Sequence, residues 1–158
     1  KLHQTIIITG PTGTGKTFLA CALAHKACRL GYHSRYYRLL HLMHDMVVAY
    51  REGKLQRFLA SISKFDVLII DDFGMVVMDD EQKRLLLEVF ENRYEMRSTI
   101  ITSQLPVAQW YEYLNDPLIA DAILDRVVHQ AEKIALTGES LRKAKGKANS
   151  CLEEKIKE

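Results

Sequence analysis

Cysteine is scarce: three residues among 158, Cys21, Cys28 and Cys151, an odd number in no metal-ligand spacing. That excludes a disulfide-stapled scaffold and a cysteine-ligated metal site, and points to a reducing, cytoplasmic setting. Cys21 and Cys28 stand seven apart in an expected helix and read as small core residues. Long apolar runs are also missing. None approaches the ~18 residues needed to cross a bilayer, and no secretory leader opens the chain, so no membrane partner is expected. Internal repeats and low-complexity linkers are absent too, which leaves one domain, long enough to bury a core without staples. The first apolar run begins within a few residues of Lys1, so the expectation is a domain excised from a longer protein.

Net charge is only +2, but it is unevenly spread. Between residues 29 and 64, seven Lys/Arg face two acids; between 66 and 95, nine acids face three bases. Such a split fits a side that meets a polyanion and an acidic side, two subunit faces that attract each other, or ordinary solvated clusters.

What the chain does contain is a complete phosphate-binding loop, Gly10-Pro11-Thr12-Gly13-Thr14-Gly15-Lys16-Thr17, directly after the apolar run Ile6-Ile7-Ile8. A strand feeding a glycine-rich turn that opens a helix aims backbone N–H groups and the positive helix end at phosphates. In that pattern Lys16 reaches the β- and γ-phosphates and the Thr17 hydroxyl holds Mg²⁺, so ATP and Mg²⁺ are the expected cofactors. A second apolar run, Val67-Leu68-Ile69-Ile70, ends in Asp71-Asp72. Asp71 suits a Mg²⁺ contact, and Asp72 is placed to orient or deprotonate a water, or else to cap a turn. A third run ends in Thr102-Ser103-Gln104, where Ser103 or Gln104 would sense the γ-phosphate or cap a loop.

Strands are expected at 4–9, 34–38, 66–71, 98–102 and 133–136, and helices at 16–30, 39–53, 55–61, 79–96 and 119–130. In the second of these helices, Leu40, Met43, Val47 and Val48 are expected on one side. The alternation predicts an α/β fold, a five-stranded parallel sheet between helix layers. On the last helix Arg126 lies roughly 110° from the apolar stripe of Ile119, Ala120, Ile123, Leu124, Val127 and Val128. It is therefore expected at the surface, paired with Asp125 or free to stabilise transition-state charge in a neighbouring subunit. His41 and His44 are three apart on a helix, but a third ligand is missing and no metal is expected there. Arg35, Arg38, Lys54 and Arg57 are candidate DNA-phosphate contacts, with Lys143, Lys145 and Lys147 behind them. Tyr36 and Tyr37 would stack on bases of a single strand, although strand alternation makes at least one of them core.

Five motifs in order, the phosphate loop, Leu-Ile-Ile-Asp-Asp-Phe-Gly, Ile-Ile-Thr-Ser-Gln-Leu-Pro, Ala-Ile-Leu-Asp-Arg-Val-Val-His and Leu-Thr-Gly-Glu-Ser-Leu-Arg, resemble the IstB-like AAA+ ATPases. These are helpers of insertion-sequence transposases, related to DnaC-type helicase loaders. The resemblance covers nearly all of residues 4–143 and implies a P-loop NTPase of AAA+ type that hydrolyses ATP. It also implies a homo-oligomer with ATP, assembly on duplex DNA, and a transposase partner; a helicase loader on single strands, partnered by a replicative helicase, is the alternative. It assigns Lys16 and Thr17 to phosphate and Mg²⁺, Asp71 and Asp72 to the hydrolytic site, Ser103 and Gln104 to the sensor region, and Arg126 to the inter-subunit arginine. Arg142 would be a second sensor. The family's domains imply an ATPase core at 1–137 and a polar, Lys-rich tail at 138–158, without the usual helical lid and without the N-terminal DNA-binding region. One departure stands out: the acid pair usual in AAA+ proteins is Asp-Glu, and the shorter Asp72 implies slow or activator-dependent turnover. A phosphotransfer enzyme and a nucleotide-locked scaffold are the rivals from other classes.

Overall fold

Runs of β-branched residues build three of the five strands: β1 (Thr5–Thr9), β3 (Val67–Phe73) and β4 (Ser98–Ser103). Strands β2 (Ser34–Arg38) and β5 (Glu132–Ala135) are more polar and lie at the edges. The computed structural model describes residues 3–140. All pairings are parallel, in the order β2-β3-β4-β1-β5. Strand β4 thus sits between the strand that leads into the phosphate loop and the strand that ends in the two acids. Their C-terminal ends open on one crevice, the usual ligand position of such sheets.

Helix α1 (Lys16–Arg29) covers one face of the sheet, and its Ala20 and Ala24 meet Ile8, Ile69 and Ile100. Helices α2 (Leu39–Arg51), α4 (Asp80–Arg93) and α6 (Pro117–Val128) cover the other, around Ile7, Leu68, Ile70 and Ile101. Helix α3 (Leu55–Ser63) closes that layer with Leu59 and Ile62. Two expectations fail here. Cys21 and Cys28 are exposed: the buried stripe of α1 runs through Lys16, Ala20 and Ala24, so Cys21 is one residue off it and Cys28 follows its last member. In α2 the buried set is Leu39, Leu42, Met43, Met46 and Ala49, while Leu40 and Val48 face solvent. The period was legible there, but the phase was off by one residue.

Local chemistry fixes the helix starts. Asp79 and Gln82 form a reciprocal capping box on α4, and the Asp116 side chain accepts from the Ile119 N–H with Pro117 at the first position of α6. A 3-10 turn (Val107–Gln109) and a short helix α5 (Trp110–Leu114) were not expected. Trp110 is fully buried against Phe73, with ring centroids 4.3 Å apart, and its indole N–H donates to the Leu105 carbonyl at 3.2 Å.

Tyr113, on the same short helix, donates from its hydroxyl to the Val76 carbonyl at 2.5 Å and so pins the loop that follows the acid pair. Burial pushes its phenol up to about 12, against roughly 10 in an unfolded chain. The folded state therefore holds this proton more tightly. The resulting stability is complete below pH ~10 and disappears as pH climbs towards 12. Phenolate absorbance of the folded chain should accordingly show one late-titrating tyrosine fewer in Tyr113→Phe than in the unmodified chain.

Candidate active site

The phosphate loop runs from the end of β1 into α1. Gly15, the residue before the helix, has φ 92°, and Gly10 has φ 151°. A Cβ at Gly10 would run into the Leu136 carbonyl, so at that position the sequence needs glycine for space as well as for backbone freedom. The Lys16 ammonium is buried and donates to the carbonyls of Gly10 (2.7 Å) and Pro11 (2.8 Å), which holds it inside the curl of the loop.

Between Ile70 and Phe73 strand β3 carries a bulge: Ile70 pairs with Ile101 and Phe73 with Ser103, so β3 spends one residue more than β4. Without that extra residue, strand alternation would place Asp72 on the face where Phe73 and Ile70 join the core. Instead Asp72 has φ 62°, a left-handed conformation that Asp tolerates better than most residues. Its N–H donates to Thr102 Oγ1 at 3.2 Å, and its carboxylate faces Arg38 Nε at 3.7 Å.

Asp71 is 2% exposed and is held by three hydroxyls. Thr17 Oγ1 lies 3.0 and 3.1 Å from its two oxygens, Tyr36 Oη donates to Oδ2 at 2.6 Å, and Thr102 Oγ1 donates to Oδ1. The Tyr36 phenol is raised to about 12 by burial first and by this carboxylate second. Thr17 and Asp71 offer hard oxygen donors side by side, a donor set that fits Mg²⁺ with phosphate oxygens and waters filling the remaining positions. Among the described residues no three His, Cys, Asp or Glu side chains come together to hold a metal without such a substrate.

These groups line one cavity of about 540 Å³, bounded by Thr12, Lys16, Thr17, Asp71, Asp72 and Gln104, with Arg38, Phe18 and Met75 at its walls. Gln104 belongs to it: its Oε1 accepts from the Thr12 hydroxyl at 2.6 Å. Ser103 does not. Fully buried, it donates to the Phe73 carbonyl and accepts from the Leu105 N–H, so its hydroxyl braces the turn after β4, the loop-capping alternative, and of the two residues only Gln104 lines the cavity.

Arg126 is far from its own phosphate loop. It lines a small pocket with Thr5 and Thr99, at the starts of β1 and β4. The expected Asp125–Arg126 pair is not formed. Arg126 Nη2 meets Glu91 of α4 at 2.8 Å and Nη1 donates to the Ala122 carbonyl, while Asp125 faces His129 at 3.8 Å. Lying on the flank of the apolar stripe, Arg126 is close enough to α4 to find an acid there. One step further round the helix, Asp125 points away from it.

The four candidate DNA residues are dispersed. Arg38 is in the nucleotide cavity. Lys54 and Arg57 border a groove between α2 and α3, and Arg35 stands over the rings of Tyr37 and Phe65 in a second cavity with Lys64 and His33. Ser61 borders both, so Arg57 on α3 and Lys64 and Arg35 beside it lie along adjoining cavities, the first of which also carries Asp45 and Glu52, the latter paired with Lys54 at 2.6 Å. Tyr36, expected as a stacking platform, is turned onto Asp71. Phe18, Arg38, Met75, Thr102 and Tyr36 were not assigned roles in the nucleotide site, although Phe18 and Met75 adjoin the first two motifs and Thr102 lies in the third. His41 and His44 are both exposed. Arg142, Lys143, Lys145, Lys147 and most of the tail lie outside the described residues.

No helix among the described residues is long and apolar enough to cross a membrane. In solved structures the fold matches the DnaI protein (TM-score 0.75, 23% identity, 87% of this chain and 75% of that one). It also matches the DnaC helicase loader (TM-score 0.72, 24% identity, 85% and 78%). In sequence, an insertion sequence ATP-binding protein of Sinorhizobium fredii is 46% identical over 143 residues, 90% of this chain and 58% of the relative. The insertion sequence IS21 ATP-binding protein of Pseudomonas aeruginosa is 38% identical over 146 residues, 92% and 55%. The chain thus spans a little over half the length of these relatives. Residues 1–149 match the family described as IstB-like ATP binding protein. With a five-stranded parallel sheet, a phosphate loop and an acid-tipped strand in one crevice, the chain belongs to the IstB-like ATP-binding proteins, on a P-loop fold of AAA+ type.

Proposed function

We propose that this chain hydrolyses ATP and uses the bound nucleotide to assemble with copies of itself on duplex DNA, where it serves a transposase. The observation that carries the reading is the convergence of Lys16, the Thr17–Asp71 pair, Asp72 and Gln104 on one cavity. Lys16 and the loop amides neutralise the β- and γ-phosphates. Thr17 and Asp71 would hold Mg²⁺, which supplies charge neutralisation on the phosphate oxygens when bound. Asp72 takes the proton of the water that attacks the γ-phosphorus as the bond to the bridging oxygen breaks and ADP leaves, and Gln104, lining the same cavity, orients that water.

Arg126, remote from its own cavity, supports a role in the site of a neighbouring copy. The transposase partner is supported by the relatives, which are named as insertion sequence proteins. The cations flanking α3 support phosphate-backbone contacts, which would be salt-sensitive and largely indifferent to sequence.

ATP turnover at low salt, alone and with matched duplex or single-stranded DNA, tests this. Stimulation by duplex is the expected result, with Arg126→Ala retaining nucleotide binding but losing the stimulated turnover. Stimulation by single strands alone would move the assignment to a helicase loader. Normal turnover by assembled Arg126→Ala would remove that arginine from the mechanism.

A further inference from the structure

We infer that Tyr36 is a positioning residue of the Mg²⁺ site, its phenol fixing the Asp71 carboxylate beside Thr17; the inference rests on the ATPase reading above. Three hydroxyls hold Asp71, and they differ in kind. Thr17 belongs to the phosphate loop and is itself the second candidate Mg²⁺ donor. Thr102 comes from the neighbouring strand and also accepts the Asp72 N–H. Tyr36 alone comes from the sheet edge, on the side away from the loop.

Its reach follows from register. Tyr36 lies opposite Ile69, two residues before Asp71. A diagonal neighbour on the same sheet face is too far for a short side chain and within range of an aromatic one. Tyr36 is 39% exposed, so packing at this edge does not explain a tyrosine. The hydroxyl explains it: it donates at 2.6 Å to an almost fully buried carboxylate.

A carboxylate tied through Oδ2 to Tyr36 and through Oδ1 to Thr102 is stopped from turning about its own bond. The edge facing Thr17 is then held ready before nucleotide arrives. Without the phenol, the carboxylate gains freedom to turn, and ordering it again weakens the metal-dependent part of nucleotide binding. The phenol does not line the nucleotide cavity, and its other neighbour, the Arg38 guanidinium, keeps its pairing with Asp72, so nucleotide binding without metal should respond little to its loss.

The test is Tyr36→Phe, which keeps the ring and removes only the hydroxyl. Binding of a fluorescent, non-hydrolysable ATP analogue is titrated in EDTA and then across a Mg²⁺ series, with thermal unfolding recorded to show that the fold is kept. The Mg²⁺ midpoint should rise roughly tenfold, the low end of what a hydrogen bond to a charged group contributes, while affinity in EDTA stays within about twofold. A Mg²⁺ midpoint equal to that of the unmodified chain overturns the inference and leaves the ATPase reading standing. An equal loss in EDTA also overturns it, because the phenol would then act on the nucleotide or the fold. If Mg²⁺ has no effect on the unmodified chain, the roles given to Thr17 and Asp71 fall, and this inference falls with them.

Discussion

Asp72→Asn should leave ATP binding within about twofold and lower turnover by roughly 10²–10⁴-fold, the range that positioned general bases contribute. The substitution is chosen for its backbone. Asp72 stands at φ 62°, and Asn is one of the few residues that share Asp's tolerance of that region. The bulge, the N–H to Thr102 and the packing of Phe73 should therefore survive, and only the proton-accepting charge is lost. Steady-state phosphate release together with equilibrium nucleotide binding separates the two quantities. If Asp72 merely capped the turn at Gly74, Asn would cap it as well and turnover would not change. Arg38 restrains the carboxylate from 3.7 Å. Asp72→Glu keeps the charge but lacks Asp's tolerance of the left-handed region, so it should retain more turnover than Asp72→Asn without exceeding the unmodified chain.

Much of this site was legible because its chemistry is written in adjacent residues. Gly10, Gly13 and Gly15 all occupy positive φ, and a glycine pattern reports backbone shape directly. A run of branched apolar residues reports a buried strand, and acids at its end report the crevice. What escaped the sequence depends on numbers that no local pattern carries. The parity of β4 decides whether Ser103 or Gln104 faces the cavity. The register of β2 on β3 decides that Tyr36 reaches a carboxylate 35 residues away. Arg126 finds Glu91 across a similar separation. Helix α5 has five residues, less than two turns, so no period could form. The phase of α2 slipped because Met43 belongs to both the expected stripe and the real one.

Arg93 is the strongest case of a residue whose role only the fold discloses, and Arg93→Ala should cost about 3–5 kcal/mol of stability, a drop of roughly 10 °C in Tm. In sequence it is one base in an acidic stretch. In the fold it is 2% exposed. Its guanidinium donates to the carbonyls of Ile62 and Phe65 at 3.1 Å, to the Ser98 carbonyl at 2.6 Å, and to Thr99 Oγ1 at 3.2 Å. One side chain thus ties the end of α4 to the end of α3 and to the start of β4. Burial lowers its pKa to about 10, so it stays charged at neutral pH, and its positive charge suits the carbonyl-rich end of α3. Truncation strands several acceptors at once, each worth ~1–3 kcal/mol if left unsatisfied, less what water entering the gap recovers. Arg93→Lys keeps the charge but cannot fork to α3 and β4 at once, so about half the loss should remain. The damage should also be local before it is global. Because α3 carries Arg57 and is followed by Lys64, Arg93→Ala well below its Tm should weaken duplex binding while Mg²⁺-dependent nucleotide binding, built on β1, β3 and α1, persists. Equal losses of both would mean that α3 and the nucleotide cavity unfold as a single unit.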